Sequence, residues 1–219
     1  MLAGCTGYLH ADAYAGFNRL YDIDPATQLP RLQEVSCWAH ARRKIYEVHA
    51  ATHSPVAQDL LTRIGQLFEI ERGVNGHPPE ERRRVRLERS VPKLDELKQA
   101  FEGALNKLSG KSPLAVAIRY ALSRWVQLNR YTNDGRLDMT NNAAERAIRP
   151  LALGRKNWLF AGSDTGGERA AIMYTILETA KLNDLDPEAY LRDILARIAD
   201  HPINKIDQLL PWTVSVKPS

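Results

Sequence analysis

Apolar residues recur at helical spacing through the middle of the chain, from Trp38 to about Tyr131. Four stripes each match one buried face of a helix. Their members are Trp38, Ala41, Ile45 and Val48; Val56, Leu60, Ile64 and Leu67; Leu94, Leu97, Phe101 and Leu105; and Leu114, Ile118, Leu122 and Trp125. Proline interrupts the pattern at "HSP", "NGHPPE", "SVP" and "SGKSP", where helices are expected to end or begin. The pattern predicts a compact bundle of four or five helices.

A strand, helix, strand pattern precedes the bundle. Short strands are predicted for the run that ends near His10 and for Leu32 to Cys37, with a helix across residues 13–21. Such a unit usually forms two parallel strands joined by a right-handed crossover. Two parallel strands do not make a stable sheet, so further strands are expected later in the chain or upstream of it. The predicted fold class is α/β and predominantly helical.

Mixed structure is predicted after the bundle. "NDGRLDM" indicates a turn, "NNAAERAIRPLAL" a helix, "NWLFAG" a strand and "SDTGGE" a flexible loop. Two further helices are expected at Glu168 to Leu182 and at Pro187 to Ile198. The chain is thus divided into four regions: 1–37, strand, helix, strand; 38–131, helical; 132–182, mixed; and 183–219, a C-terminal helical element.

Composition and charge narrow the class of protein. Lys and Arg total 30 against 26 for Asp and Glu, and the formal net charge of +4 permits a nucleic-acid partner without requiring one. No apolar run approaches the roughly 18 residues that a membrane span requires. The 2 cysteines follow no secretory signal, which favours a reducing compartment. We expect a soluble, cytoplasmic protein without a membrane partner.

Asp12 and Glu145 are the carboxylates that best fit a catalytic site. Asp12 follows the first predicted strand, where open α/β sheets place ligand-binding groups, although Asp is also a common helix cap. Glu145 comes three residues after Asn142, which is also the spacing of a capping box. Together they match two-metal phosphoryl-transfer sites, which combine carboxylates from strands and a helix, because Mg²⁺ prefers hard oxygen ligands. The helical bundle would then be an insertion between the two acids.

Basic residues near Glu145 form a candidate phosphate-binding set. Arg146 and Arg149 share a helix face, and Arg155 and Lys156 precede a Gly-Gly loop, so these four side chains are candidates for DNA phosphates. Each pair also fits an ordinary solvent-exposed surface with no phosphate ligand. The run "RRRVRLER", residues 82–89, carries five arginines and fits a phosphate-binding stripe and a solvated helix face equally well.

Cys37 and His40 in "CWAH" have a spacing that can chelate zinc. A structural zinc site needs four ligands, and Cys5 is the only other thiol in the sequence. We therefore expect a structural role for Cys37 and His40, through packing and hydrogen bonding at the edge of the sheet.

Four long stretches are specific enough to indicate a family. They are "ADAYAGFNRLYD", "VSCWAHARRKIYE", "NNAAERAIRPLALGRKNWLFAGSDTGGERAA" and "ETAKLNDLDPEAYLRDILARIADHPINKIDQLLPW". They resemble transposases of the bacterial insertion sequence 66 family, and the similarity extends over nearly the whole chain. The resemblance implies a DDE transposase with a ribonuclease H-like core, interrupted by a helical insertion, that acts on transposon-end DNA with Mg²⁺ or Mn²⁺. It also implies a homo-oligomer in the complete enzyme and accessory transposition proteins.

The resemblance assigns roles to the two acids. Asp12 corresponds to the second aspartate of the catalytic triad and Glu145 to its glutamate, and both would bind metal. The family's first aspartate lies on an earlier strand, and residues 1–11 contain no acidic residue. We therefore expect a C-terminal portion of a transposase that does not transfer strands alone. The alternatives are a non-catalytic DNA-binding or oligomerising remnant, and an all-helical scaffold in which both acids are helix caps.

Overall fold

The computed structural model describes residues 5–11, 15–25, 27–154 and 162–214. Strands β1, Gly7–Ala11, and β2, Leu32–Ser36, pair in parallel, from Gly7 opposite Leu32 to Ala11 opposite Ser36. The predicted parallel pair is confirmed. The segment between the strands contains a 3₁₀ helix, Ala15–Tyr21, where we predicted a helix over residues 13–21. Such tight helices are common as short connectors.

Six α-helices follow β2. They are α1, Trp38–Thr52; α2, Pro55–Val74; α3, Pro79–Val85; α4, Val91–Leu105; α5, Pro113–Ser123; and α6, Trp125–Asn129, after which a 3₁₀ turn covers Arg130–Thr132. Proline is the first residue of α2, α3 and α5, as the sequence predicted. The hydroxyl groups of Ser54 and Ser112 cap α2 and α5 by accepting hydrogen bonds from backbone amides.

The predicted apolar stripes form one core. Trp38, Ala41 and Ile45 of the first stripe are fully buried in it. The indole of Trp38 meets that of Trp125 edge to face at 5.8 Å, and its Nε1 donates a hydrogen bond to the Leu128 oxygen at 2.9 Å. Burying each large apolar side chain stabilises the fold by about 1.5–3 kcal/mol. One stripe member differs from the prediction, because Val56 is 41% exposed at the start of α2.

The predicted break at "SVP" is wrong. Helices α3 and α4 are joined without interruption by a π-helical segment, Arg86–Ser90. In a regular α-helix the ring of Pro92 would clash with the carbonyl group four residues earlier. A wider turn just before the proline accommodates the ring, so the helix continues where an end was expected.

Beyond the bundle, the described residues form three further α-helices. They are α7, Asn142–Gly154; α8, Asp164–Leu182; and α9, Pro187–Arg197, with a further 3₁₀ segment at Ile203–Leu209. The flexible loop predicted at "SDTGGE" is wrong, because Ser163 caps α8 and accepts a hydrogen bond from the Gly166 amide at 3.1 Å. A serine cap at this position outweighs the weak helix preference of the glycines. Most of the predicted "NWLFAG" strand lies outside the described residues.

The chain divides into two compact units, Met1–Asn142 and Ala143–Ser219. The predominantly helical α/β class is confirmed, with a small sheet that has two strands among the described residues. The predicted ribonuclease H-like core and the four-region division stay predictions. Within the described ranges, no helix is both long and apolar enough to cross a bilayer.

Candidate functional site

The carboxyl ends of both strands meet one segment of the chain, residues 138–139. At the end of β1, the His10 Nε2 donates to the main-chain oxygen of Asp138 at 2.7 Å. Just after β2, the Trp38 amide donates to the main-chain oxygen of Met139 at 3.1 Å. Ligand-binding groups of α/β sheets gather at this edge. The segment that leads into α7 is therefore attached at the edge where a site is expected.

Arg82, on α3, holds the same segment from the other side. Its Nη2 donates to the Asp138 carboxylate at 2.8 Å and to the Leu137 oxygen at 3.3 Å. The Arg82 side chain is 16% exposed, so this ion pair is partly shielded from water. Charge-assisted bonds of this kind are stronger than neutral ones. The segment before α7 is thus attached to both the sheet and the bundle.

A buried ion pair joins Arg86 and Glu71 beneath this segment. The guanidinium group of Arg86 is fully buried and donates to both carboxylate oxygens of Glu71, at 2.8 and 2.7 Å. Its Nη1 donates to the main-chain oxygens of Tyr131 and Asp134, at 2.9 and 3.2 Å. The same guanidinium lies 5.1 Å from the centre of the Tyr131 ring, and burial raises the pKa of that tyrosine. A buried charge with this many acceptors is well compensated.

The arginine run at residues 82–89 is mainly structural. Besides Arg82 and Arg86, the Nε of Arg83 donates to the Asn133 oxygen at 3.0 Å, and Arg84 pairs with Glu81 and Glu88 on its own helix. Four of the five arginines thus bind the protein itself. A simple solvated face therefore does not describe the run as a whole, and the phosphate-binding stripe stays a prediction.

A tight turn at Asp134 and Gly135 lies against the start of α3. The Arg136 side chain and amide donate to the Asp134 carboxylate, and these bonds lower the pKa of Asp134 to about 2. Gly135 is buried, and a Cβ atom there would lie only 1.7 Å from the Pro79 oxygen. Only glycine fits this contact, so the turn is fixed against α3 by backbone packing.

Glu34 attaches β2 to the bundle. Arg124 donates to its carboxylate at 3.1 Å, and Arg130 donates to its main-chain oxygen. The Glu34 side chain is only 11% exposed. The sheet and the bundle therefore share polar contacts as well as a core, which fixes the position of the strand ends.

Glu145 lies in the first turn of α7 and is partly buried. It is the fourth residue of the helix, one position beyond the third, which a capping box requires. Arg146 and Arg149 are exposed, as phosphate binding requires, and their DNA-binding role stays a prediction. Arg146 also lines a cleft of about 490 Å³ between α7 and α8, which contains the acid Glu178.

Three of the predicted site residues, Asp12, Arg155 and Lys156, lie outside the described residues. Within the described ranges, no group of three or more His, Cys, Asp or Glu side chains is arranged to hold a metal ion. The donor types in the predicted pair nevertheless fit Mg²⁺ or Mn²⁺, because Asp12 and Glu145 both offer hard carboxylate oxygens. Their metal-binding role stays a prediction.

Comparison with known proteins identifies the family. The model described as "Transposase IS66 family" matches residues 1–169, and the one described as "IS66 C-terminal element" matches residues 175–212. The chain belongs to the IS66 family of transposases. The match to the IS66 C-terminal element covers α9 and the last eight residues of α8, 175–182. A small core in this region contains Ala180, Tyr190 and Leu209.

Similar proteins from Sinorhizobium fredii (strain NBRC 101917 / NGR234) support the IS66 assignment. "Uncharacterized protein y4hP" is 44% identical over 223 residues, "Uncharacterized protein y4qI" 40% over 213 and "Uncharacterized protein y4jD" 37% over 213. Each alignment covers 96% of this IS66 chain. The chain spans about 40% of the length of these relatives. No solved structure matches it.

In this IS66 chain, Cys37 is the N-cap residue of α1, between β2 and the bundle. Its thiol is free and buried. His40 lies in the first turn of α1 and is partly buried. Their predicted structural role remains a prediction.

Sequence reasoning missed the residues that position the strand ends. They are His10, Glu34, Glu71, Arg86 and Asp138. One signal was present, since Glu34 is the charged residue of the predicted strand Leu32 to Cys37, and a buried acid usually has a partner. The other four resemble ordinary surface residues in the IS66 sequence.

Proposed function

We propose that this IS66 chain supplies two carboxylates, Asp12 and Glu145, to a metal-dependent site for DNA strand cleavage and transfer at transposon ends. One observation supports the proposal best: His10, two residues before Asp12, is bonded to Asp138, seven residues before Glu145. The end of β1, just before Asp12 in sequence, and the segment that leads to Glu145 therefore meet at one edge of the sheet. Family membership supplies the reaction class.

The roles of the residues follow from the chemistry of phosphoryl transfer. Asp12 and Glu145 would hold Mg²⁺ or Mn²⁺ through their carboxylate oxygens. When bound, such cations would supply a lowered pKa for the attacking water or hydroxyl and positive charge for the leaving oxygen. Arg146, Arg149, Arg155 and Lys156 would bind DNA phosphates and orient the scissile strand for in-line attack.

The complete site needs a third carboxylate. The family resemblance implies an aspartate on an earlier strand, and residues 1–11 carry no acid. We therefore propose that residues 1–219 alone bind metal weakly and do not transfer strands. A ribonuclease H-like core, a homo-oligomer and accessory transposition proteins belong to the same proposal for the whole enzyme.

Cleavage of the polypeptide by bound Fe²⁺ tests whether the two acids share a cation. Fe²⁺ replaces Mg²⁺, and with ascorbate and peroxide it generates radicals that cut the chain near its ligands. Mass spectrometry should find cuts near both residue 12 and residue 145. Glu145→Gln should weaken both sets of cuts, whereas Glu188→Gln, at another first-turn glutamate, should weaken neither.

Cuts near one acid only, or cuts unaffected by Glu145→Gln, would contradict the shared site. The non-catalytic remnant predicts DNA binding without such cuts. In a polypeptide extended upstream to include the earlier strand, Mg²⁺-dependent nicking of an end-containing duplex should be lost in Glu145→Gln and kept in Glu188→Gln.

A further inference from the structure

A groove runs between α1 and α2, on the bundle surface. The two helices are antiparallel neighbours joined by a two-residue turn at residues 53–54. Each contributes residues at i, i+3, i+4 and i+7, which lie on one helix face. The groove has a volume of about 480 Å³ and is lined by Ala39, Arg42, Arg43, Tyr46, Gly65, Phe68, Glu69 and Arg72. Nothing in the proposed metal site uses these residues.

The charge of the groove is positive. It contains three arginines and a single acid, Glu69, whose carboxylate is 2.5 Å from Arg72 Nη1. Arg42 and Arg43 are exposed, and within the described part of the chain neither forms an ion pair. Guanidinium groups bind phosphate through paired N–H donors. Two arginines are thus available for an anionic ligand, in contrast to four of the five arginines of the 82–89 run.

Aromatic surface lies next to these charges. Tyr46 is 50% exposed, with the Arg42 guanidinium 5.9 Å from the centre of its ring, and Phe68 is partly exposed in the groove wall. Cations beside accessible aromatic rings are the combination by which proteins hold nucleotides, with phosphate on the cation and the base or sugar against the ring. The groove volume falls within the range of small-ligand sites.

Gly65 leaves the backbone of α2 accessible in the groove. It lies in the middle of α2, where glycine destabilises a helix by roughly 0.5–1 kcal/mol relative to alanine. A Cβ atom at this position would have nothing within 4 Å, so packing inside the chain does not require glycine. Glycine is also used where a ligand approaches the backbone closely. The floor of the groove is therefore open for an external group.

We propose that the α1–α2 groove binds the phosphate backbone of DNA, with Arg42 and Arg43 as the phosphate ligands. The inference rests on the proposed function only in taking the phosphate to belong to DNA. The groove lies on the bundle, so it holds DNA by contacts separate from Asp12 and Glu145. It gives the bundle a role in holding the substrate, in addition to separating the two acids in sequence.

Fluorescence anisotropy of the 219-residue chain with a short labelled duplex, and with one strand of it, tests the proposal. EDTA is present, so the result does not depend on metal binding. The double variant Arg42→Glu/Arg43→Glu should bind DNA about tenfold more weakly or worse. Its slope of log K against log salt should be shallower by about 1.8 for duplex and about 1.4 for the single strand.

The matched control is Lys98→Glu/Lys107→Glu, which changes the net charge equally. Both lysines are exposed, lie outside the groove and form no ion pair with a described residue. This variant should keep the wild-type slope. Equal losses in the two double variants, or no DNA binding by the wild type, would overturn the groove site. The form whose affinity falls more in Arg42→Glu/Arg43→Glu is the form that the groove binds.

Glycine variants give a test that leaves the charges unchanged. Gly65→Leu fills the floor of the groove, and Gly73→Leu makes the same change on α2 outside it. Both should melt at or above the wild-type temperature, because leucine favours helix more than glycine does. Only Gly65→Leu should weaken DNA binding, by about threefold or more. Equal DNA binding by Gly65→Leu and Gly73→Leu would contradict the groove site. The metal site is tested separately, by Fe²⁺ cleavage of the chain.

Discussion

His10 and Asp138 are 128 residues apart in sequence, yet the imidazole Nε2 lies 2.7 Å from the Asp138 main-chain oxygen. The bond connects the end of β1 to the segment that leads into α7. Because Arg82 binds the Asp138 carboxylate at 2.8 Å, the same residue is held through both its backbone and its side chain. Asp138 therefore links the sheet to the bundle at the edge proposed for the site.

Removing the His10 donor should weaken this link. His10→Leu leaves the Asp138 oxygen without its protein donor, and we expect the free energy of unfolding to fall by about 1–3 kcal/mol. His10→Gln can place an amide donor near the same point, so its free energy of unfolding should fall less. Urea denaturation measures both variants. Equal losses would show that the imidazole acts through packing and not through this bond.

Breaking the buried ion pair should cost far more than breaking an exposed one. Arg86→Met leaves the Glu71 carboxylate buried without its main partner, and unfolding free energy should fall by about 3–5 kcal/mol. Arg86→Met/Glu71→Met should recover part of that loss. Arg84→Met, two residues away and exposed, is the matched control and should barely shift the denaturation midpoint. Similar midpoints for Arg84→Met and Arg86→Met would contradict the burial argument.

Adding one methyl group at Gly135 should destabilise the fold. The new Cβ would lie 1.7 Å from the Pro79 oxygen, so the turn or the start of α3 must move. We expect Gly135→Ala to cost about 1–3 kcal/mol or more. Gly103→Ala, in α4 with open space around it, should instead stabilise by about 0.5–1 kcal/mol. If the contact is as described, the melting temperature should fall in Gly135→Ala and rise in Gly103→Ala.

The Asp134 carboxyl group should contribute acid-sensitive stability. Hydrogen bonds from Arg136 lower its pKa from the ordinary 3.8 to about 2. A lowered folded-state pKa contributes stability above the unfolded-state value, so this contribution is present above about pH 4 and is lost as pH falls to about 2. Carboxyl-carbon NMR titration of Arg136→Ala should show the pKa of Asp134 rising, but only partly, because the amide of residue 136 still donates. An unchanged pKa would refute the role of the Arg136 side chain.

Local patterns predicted the helical bundle well. Trp38, Ala41 and Ile45 repeat at helical spacing because one face of α1 is buried, and that repeat is visible in sequence. Helix starts at Pro55, Pro79 and Pro113 were predictable because proline fits the first helical position.

The features that the local patterns missed depend on contacts between residues that are distant in sequence or on helix geometry other than α. Arg86 resembles its exposed neighbours in sequence, and its burial depends on Glu71, 15 residues away on another helix. The "SVP" break failed because a π turn accommodated the proline, which a sequence rule for α-helices does not include. At the site, Asp12 and Glu145 were chosen because one follows a predicted strand and the other lies near a helix start, and the family resemblance assigned their roles. The contact between His10 and Asp138 depends on a pairing that no local pattern encodes.

The π-helical segment Arg86–Ser90 has a consequence for helical phase. One turn there contains an extra residue, so the residues of α4 are rotated by about 100°, the rotation of a single residue, from the positions that an uninterrupted α-helix would give them. Arg86, on one side of this turn, and Leu94, Leu97 and Phe101, on the other, are all buried. Because the wider turn accommodates one extra residue, deleting a single residue from the segment should give a regular α-helix in which α3 and α4 keep their present buried faces.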